Sequence, residues 1–514
     1  MKKENSVSEL HPTPYALHPF VRWLDRAIIF WLFVLAAAAP HSIAATQIAW
    51  LCGMLVWGVR LIVKPRFFRT PIDYALLCFI LLTIISAFTS YAPDISTGKL
   101  RAVSLFTIVY LVAQNVNSRR VLRLLALVLI ASCVVNVFYT MAERAVGRGV
   151  KIVGVAASSP LAAAIFRRAD NKITAPTAIQ SGDTVLEVDG RKVSSPEELV
   201  AALDKMDADS TPARVRIYRA EWMPVLEVPR GKLLDGQTPL ERLGIGGWSR
   251  GRDWRASGFF GHYVTYAEAL QLIASLAFGI FIALPFKRSL KGALLLAAVA
   301  LFGFALLLTV TRASQLGLLI SAGVIVLVGL KSRRTMLLMA ACALPLVLVG
   351  LLVLQQKRQV GFFDRSDGSV SWRETVWREG FQLLTSKPRH LLTGVGMDSI
   401  KRYGCEWELF DKCRLPVGHM HSTPLQLALE RGLPALLAWL ALIFLYGRML
   451  WRLARVDFAD GWIERGLALG ALGGLAGFFA SGLVHYNFGD SEVVMIFYLI
   501  MGLCLALERQ IRVE

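Results

Sequence analysis

Apolar runs of roughly 20 residues recur along this chain, and a run of that length is what a helix needs to cross the hydrocarbon core of a bilayer. About twelve stretches qualify or come close to that measure: 26–43, 44–63, 72–89, 100–116, 121–142, 259–284, 291–310, 313–330, 335–354, 433–450, 464–484 and 492–507. Pro40 and Pro434 sit at span edges, where a proline is better tolerated than inside a helix. The first stretch does not read as a cleavable signal peptide. A second apolar run follows almost at once, with no clean small-residue cleavage site between them. The expected fold is an all-α polytopic membrane protein.

Composition agrees with a chain whose solvent is largely lipid. Hydrophobic residues make up 55% and charged residues 18%, against about 25% charged in an ordinary soluble domain. This excludes a disordered chain, a coiled coil and a secreted disulfide scaffold. The formal net charge of +19 invites a nucleic-acid reading. The basic residues instead mark topology. Arg60, Lys64, Arg66 and Arg69 follow the second stretch, and Arg119, Arg120 and Arg123 separate the fourth from the fifth. Lys287, Arg288 and Lys291 follow the sixth; Lys331, Arg333 and Arg334 follow the eighth; Arg448, Arg452, Arg455 and Arg465 follow the tenth. The alternate short loops hold almost no Lys or Arg. By the positive-inside rule both termini are cytoplasmic, and nucleic acid is set aside as a partner.

Two long segments then fall on the outer face, 143–258 and 355–432. They divide the chain into a membrane domain over 1–142, an insertion, a membrane domain over 259–354, an external loop and a membrane domain over 433–514. His41, His262, His390, His419, His421 and His485 lie at or beyond the outer face. Any chemistry is therefore expected outside, where ATP is absent, and no GxxxxGK[ST] loop exists. The substrate must arrive already activated.

Within the insertion, 149–230 reads as a small α/β domain. Lys151–Ala156 is an expected strand, and Ser159-Pro160 an expected start of a short helix. Asp183–Val188 is a strand closed by the Asp189-Gly190 turn. Ser195-Pro-Glu-Glu198 caps a helix running through Leu203. Arg214–Arg219 alternates as a strand, and Trp222–Val228 follows as the last. This order resembles the PDZ domains of bacterial periplasmic proteases and secretion proteins. The matching residues are Gly154–Pro160, Ile179–Val185, Val188–Val193 and Ser195–Leu199. Such domains bind chain ends by adding a strand to a sheet edge, so the resemblance implies a peptide or protein partner, or else a docking module. The family's carboxylate-binding loop is displaced here, with Leu243–Gly247 as the alternative stretch.

The second external segment carries the chemistry. Arg312 stands at a span mouth in Thr309-Val-Thr-Arg-Ala-Ser314. A charge there is commonly an interfacial anchor. Further on come Ser371-Trp-Arg-Glu-Thr-Val-Trp377, then Pro388 and Gly394-Val-Gly396, and then His419-Met-His-Ser-Thr-Pro-Leu-Gln426 with Glu430-Arg-Gly432. In this order the motifs resemble the O-antigen ligase and polymerase superfamily of bacterial envelope glycan assembly. That family pairs a TxxR junction and an R-x-x-x-W helix with a glycine turn and an HNxxLQxxxExG motif. Ser422 stands where Asn is usual. The resemblance is strongest over 259–450. It implies a GT-C-like inner-membrane glycosyltransferase that uses neither a metal nor another cofactor. Such an enzyme takes a glycan from undecaprenyl diphosphate and passes it, with inversion, to a hydroxyl of an acceptor such as the lipid A core.

The residues suit that chemistry. Leaving diphosphate builds negative charge where water is scarce, and guanidinium binds phosphate oxygens bidentately while always charged. Arg312 and Arg373 are assigned to the diphosphate. The incoming hydroxyl must lose a proton, which suits an imidazole, and His421 is the candidate base; binding phosphate or orienting the acceptor remains open for it. His419 is either a supporting or a catalytic residue, since the two histidines share a face on a strand but not on a helix. His262, Asp490 and Glu492 are further substrate-binding candidates, the two acids either orienting a sugar or pairing with Arg312. Asp207-Ala-Asp209 matches a DxD metal pattern but sits in a polar turn. Cys405 and Cys413 share an external loop and are a candidate disulfide. The acceptor leaves ligase, polymerase and protein O-oligosaccharyltransferase open. A transporter or a PDZ scaffold are the alternatives from other classes, and clustering of polar groups at one face argues against the transporter.

Overall fold

The computed structural model describes residues 19–167, 174–205, 211–219, 223–330, 332, 334, 368–415, 417–458 and 461–513. Asp207, Asp209, Trp222 and the expected span 335–354 lie outside them. Among the described residues, 9 helices are long and apolar enough to cross a membrane. They are Ile43–Val63, Pro93–Asn115, Arg119–Val146, Tyr263–Ala283, Leu290–Leu308, Arg312–Gly329, Thr423–Ala454, Trp462–Gly482 and Ser491–Arg512.

The first expected stretch is a helix over Pro19–Ala38 rather than 26–43. It opens with Arg22, Asp25 and Arg26, and Asp25 pairs with Arg60 of the next helix at 2.7 Å. Pro40 has no N–H to continue the ladder, and Ser42 caps the following helix by accepting from the Ala45 N–H at 3.2 Å. The third stretch is a shorter helix, Asp73–Phe88. The fourth begins earlier than expected, at Pro93, and is interrupted by a 3-10 turn at Ser104–Phe106. The stretch expected at 433–450 is the second half of Thr423–Ala454, which breaks at Gly432 with φ 83°.

The Tyr263–Ala283 and Trp462–Gly482 helices form the centre of the bundle. A Cβ on Gly279 would lie 2.2 Å from the Gly470 nitrogen, so only glycine lets these backbones approach so closely. The outer helices turn Leu55, Ile62, Leu77, Leu81, Leu294 and Phe304 outward, an apolar surface suited to lipid.

The insertion between Arg119–Val146 and Tyr263–Ala283 is an antiparallel sheet. Its strands are β1 (Arg148–Val155), β2 (Ile165–Arg167), β3 (Thr174–Pro176), β4 (Thr184–Val188), β5 (Arg191–Lys192), β6 (Ala213–Tyr218), β7 (Val225–Val228) and β8 (Ile245–Gly251). The order is β3-β2-β7-β6-β4-β1-β8, with β5 paired to β4 across the Asp189-Gly190 turn. β6 buries Val215 and Ile217 and exposes Arg214 and Arg216, the alternation its sequence predicts. The helix Pro196–Asp204 is capped by Ser195. Ser159-Pro160 makes a turn, not a helix, because the Ser159 hydroxyl accepts from the Leu161 N–H and donates to the Leu243 carbonyl. The sheet also runs past residue 230. Leu243 ends a short helix, Gly244 takes φ 64°, and β8 then pairs with β1. Leu186, Tyr218 and Trp254 join the sheet to the helical core.

Residues from Gly368 onward build a cap of short helices, Gly368–Thr385, Pro388–Thr393, Ser399–Tyr403 and Leu409–Cys413. The cap has its own core around Val376, Val395, Ile400, Phe410, Met420 and Leu429. Cys405 and Cys413 are disulfide-bonded. Between them Phe410 and Asp411 take left-handed φ values of 59° and 52°. Their N–H groups donate to the Glu379 carboxylate at 2.6 and 3.1 Å.

Candidate functional site

Where the cap meets the bundle lies a cavity of about 1300 Å³. The N-terminal ends of the helices starting at Tyr263, Arg312 and Ser491 reach it, as does the loop before Thr423. Among the residues that line it are Arg312, Arg373, His419, His421, His262, Asp490 and Glu492. The sequence-predicted residues therefore share one chamber, although they come from segments far apart in the chain. Cys405 and Cys413 are not in its lining, and His41 and His390 lie elsewhere. His41 bonds the Ser132 hydroxyl at 2.8 Å, and buried His390 bonds the Tyr91 hydroxyl at 2.9 Å.

Arg312 is delivered by a strained turn. Val310, a β-branched residue, takes φ 53° just ahead of it, a conformation such residues avoid. The Thr309 hydroxyl closes the turn on the Leu306 carbonyl at 2.7 Å, and the Thr311 N–H returns to that hydroxyl at 3.3 Å. His421 is strained in the same sense, with φ 46°. Non-glycine residues held there tend to be fixed by their surroundings at working sites.

Those surroundings account for the motifs. Met420, fully buried, is gripped on both sides. Its N–H donates to the Gln426 side-chain oxygen at 2.7 Å. Its carbonyl accepts from the Trp377 indole N–H at 2.8 Å. Arg373 and Trp377, one helical turn apart, both line the cavity, and Trp377 also clamps the residue before His421. The Gln426 amide also donates to Glu430 at 2.8 Å, and the Asp398 N–H reaches the same carboxylate oxygen at 3.0 Å. The Gly432 break frees the Leu429 and Glu430 carbonyls. They accept from the Val395 and Gly396 N–H groups at 2.8 and 2.9 Å. A Cβ on Gly394 would sit 2.3 Å from the Glu430 carbonyl carbon, so the backbone contact demands glycine. The glycine turn and the ExG element are the two halves of one joint.

His419 supports His421. Its Nδ1 accepts from the His421 N–H at 3.2 Å, which places the His419 proton on Nε2. The rings lie 4.0 Å apart between centroids, and Trp372 meets His421 edge-on at 4.5 Å. Burial lowers His421 to about 2, with His419, His485 and Arg373 adding to it. Burial likewise lowers His419 to about 4 and His485 to about 3. Burial also lowers His262, with Arg255 reinforcing it and Asp490 opposing it. These imidazoles are neutral at pH 7. Asp490 accepts from the Thr265 hydroxyl at 2.5 Å, and Glu268 pairs with His485 Nδ1 at 3.1 Å.

The chamber also holds residues that no sequence motif singles out. Gln315 lies one helical turn beyond Arg312, a spacing that places both on one face. Lys99, Asp398 and Lys401 join from the Pro93 helix and the segment after the glycine turn. Nothing in their local sequence marks them, since only the fold brings them together. Among the described residues, no group of three or more His, Cys, Asp or Glu side chains is arranged to hold a metal ion.

Fold and site together describe a multi-pass membrane protein with a chamber that presents guanidinium groups beside neutral imidazoles. Residues 296–440 match the family model described as O-Antigen ligase. That stretch contains Arg312, Arg373, His419 and His421, and over it the chain is similar to that family. The match supports glycan transfer of the O-antigen ligase kind. No curated protein matches the chain.

Proposed function

We propose that this protein transfers a glycan from undecaprenyl diphosphate to a hydroxyl of an envelope acceptor, as an O-antigen ligase does, at the periplasmic face of the inner membrane. The observation that carries the reading is the gathering of Arg312, Arg373 and His421 around one cavity. Arg312 and Arg373 meet the diphosphate and stabilise the charge that grows as the glycosidic bond breaks. His421 accepts the proton of the incoming hydroxyl, which attacks the anomeric carbon from the opposite side and inverts it. An imidazole at about 2 is a poor base as it stands. A bound diphosphate would bring negative charge beside it, which favours the protonated form and raises its basicity. The reading has guanidinium groups, and no metal ion, meet the leaving group.

The test is a lipopolysaccharide gel of the host lacking this gene, complemented with the wild type or with His421→Ala. The ligase reading expects bare core, with long polymer retained on undecaprenyl diphosphate. Core bearing a single repeat, with the ladder gone, would make the protein the polymerase. A well-expressed His421→Ala that restores the wild-type pattern would remove His421 from the mechanism.

A further inference from the structure

A second charged centre, built on lysines, lies in the same chamber. Lys99 contacts one Asp398 carboxylate oxygen at 2.6 Å, and Lys401 contacts the other at 3.1 Å. Two ammonium groups thus share one carboxylate, which leaves one positive charge in the cluster. Burial alone would raise Asp398, but the hydrogen bonds and charges of the two lysines outweigh it and hold its carboxyl below the usual range. The carboxylate is therefore ionised at neutral pH.

The cluster is built rather than incidental. Asp398 takes φ 57°, and its N–H is tied to Glu430 at 3.0 Å. The next residue, Ser399, bonds the Ser90 hydroxyl at 2.9 Å, and the Ser96 hydroxyl donates to the Met397 carbonyl at 2.8 Å. These bonds fasten the loop to the turn at residue 90 and to the Pro93 helix. The lysine side chains are 48% and 51% exposed, whereas Asp398 is 20% exposed, so the ammonium groups face the wet side of the cluster. Each ammonium has three donors and spends one on Asp398.

Its position relative to the histidines sets the direction of approach. His419 lies within electrostatic reach of Lys401 and Asp398, and His421 within reach of Arg373. Of the imidazole pair, His419 is the one that feels the lysine cluster and His421 the one that feels Arg373. If the diphosphate occupies the Arg373 side, the group approaching His421 past His419 is the acceptor. A compact, hydrated ammonium suits a solvated phosphate or carboxylate, whereas the planar guanidinium fork suits a desolvated diphosphate.

We propose that Lys99 and Lys401, held in place by Asp398, form an anion subsite for the acceptor and bind a phosphate or carboxylate carried on its glycan. The subsite rests on the glycan-transfer reading above. It makes the enzyme selective for acidic acceptors and seats the acceptor hydroxyl toward His421.

The experiment uses purified full-length protein in lipid nanodiscs with an undecaprenyl-diphosphate-linked glycan. The probes are three forms of a core glycolipid: intact, phosphatase-treated and carboxyl-reduced. Wild type is expected to use the intact form with a kcat/KM about tenfold above one of the treated forms, mainly through KM, as a partly solvated charge-assisted bond would give. The form that loses the advantage identifies the anion. In Lys99→Gln and Lys401→Gln the ratio between intact and treated acceptors is expected to fall toward one, and in Lys99→Arg and Lys401→Arg to remain. A wild type with equal kcat/KM on all three forms overturns the subsite while leaving glycan transfer standing. Gln variants that lose kcat equally on all three forms also overturn it, since they would show only a structural tie. A wild type that transfers to none of them sinks the activity reading and the subsite with it.

Discussion

Met420, the residue before His421, is held at both of its backbone polar groups, and releasing either hold should slow glycan transfer. Trp377→Phe keeps the ring and removes the indole N–H that bonds the Met420 carbonyl at 2.8 Å. Gln426→Leu removes the oxygen that accepts the Met420 N–H at 2.7 Å, together with the side-chain N–H that donates to Glu430. Met420 is fully buried, so each change leaves a polar backbone group without its partner at a cost of about 1–3 kcal/mol. His421 sits next to it at φ 46° and would relax toward an ordinary conformation. A shift of about 1 Å at the reacting group can cost on the order of 100-fold in rate. Each single variant is therefore expected to lose roughly 10- to 100-fold in kcat with little change in KM. Both changes release the same residue, Met420, so their effects should not add. The double variant should fall short of the sum by about 1 kcal/mol or more. The assay is a double-mutant cycle on initial rates of glycan transfer, with thermal unfolding of each variant alongside. Additive losses, or a loss seen only in KM, would show that the two side chains do not act through the position of His421.

Other predictions rest on the same geometry. Arg373→Lys keeps the charge and loses the fork, so kcat for transfer should drop about 100-fold; a fully active Lys variant would show that any cation serves. Because burial holds His421 near 2, kcat/KM should show no acid limb near pH 6.5; a limb there would place His421 in a wetter setting than the structure gives it. The same lowered histidines link stability to pH. The unfolded chain protonates them near 6.5 while the folded protein resists down to about 4, 2 and 3. Their contribution is whole above about pH 6.5 and is lost as pH falls, by about 1 kcal/mol per histidine at pH 5.5. A melting temperature that rises between pH 7 and pH 5.5 would contradict this. In Gly396→Ala the new Cβ would meet the Ser90 hydroxyl oxygen at 1.8 Å, on a backbone at φ 96°. That variant should lose more than about 2 kcal/mol, and an unchanged melting curve would refute the joint between the glycine turn and the Ser90 loop.

The features legible in the sequence are those governed by local physics. Apolar length marks helices such as Arg119–Val146 and Tyr263–Ala283, and alternation marks β6. The Asp189-Gly190 turn and the Ser195 cap fall where their residue types require. Misplaced boundaries trace to local competitors of the apolar pattern. The charged stretch from Arg22 lies ahead of the apolar run yet belongs to its helix, and the Thr423–Gly432 segment extends the 433–450 run across the Gly432 break. The role of Ser159-Pro160 is not legible, because the Ser159 hydroxyl is drawn to Leu243 from across the sheet. The same limit holds for the site. Arg312, Arg373, His419 and His421 can be proposed from motifs. Lys99, Asp398 and Lys401 cannot, since no single segment carries the cluster. The motif glycines are visible as a turn, but their reason is the contact with the Gly432 joint, which only the folded chain contains.

The most direct test of the central claim is a single-turnover reaction of purified protein with undecaprenyl-diphosphate-linked glycan and acceptor, following both products. The account predicts that undecaprenyl diphosphate appears in step with glycosylated acceptor, one for one, and that His421→Ala loses both together while Arg312→Ala loses them at least as severely. Glycosylated acceptor formed at the wild-type rate by His421→Ala, or formed without release of undecaprenyl diphosphate, would contradict it.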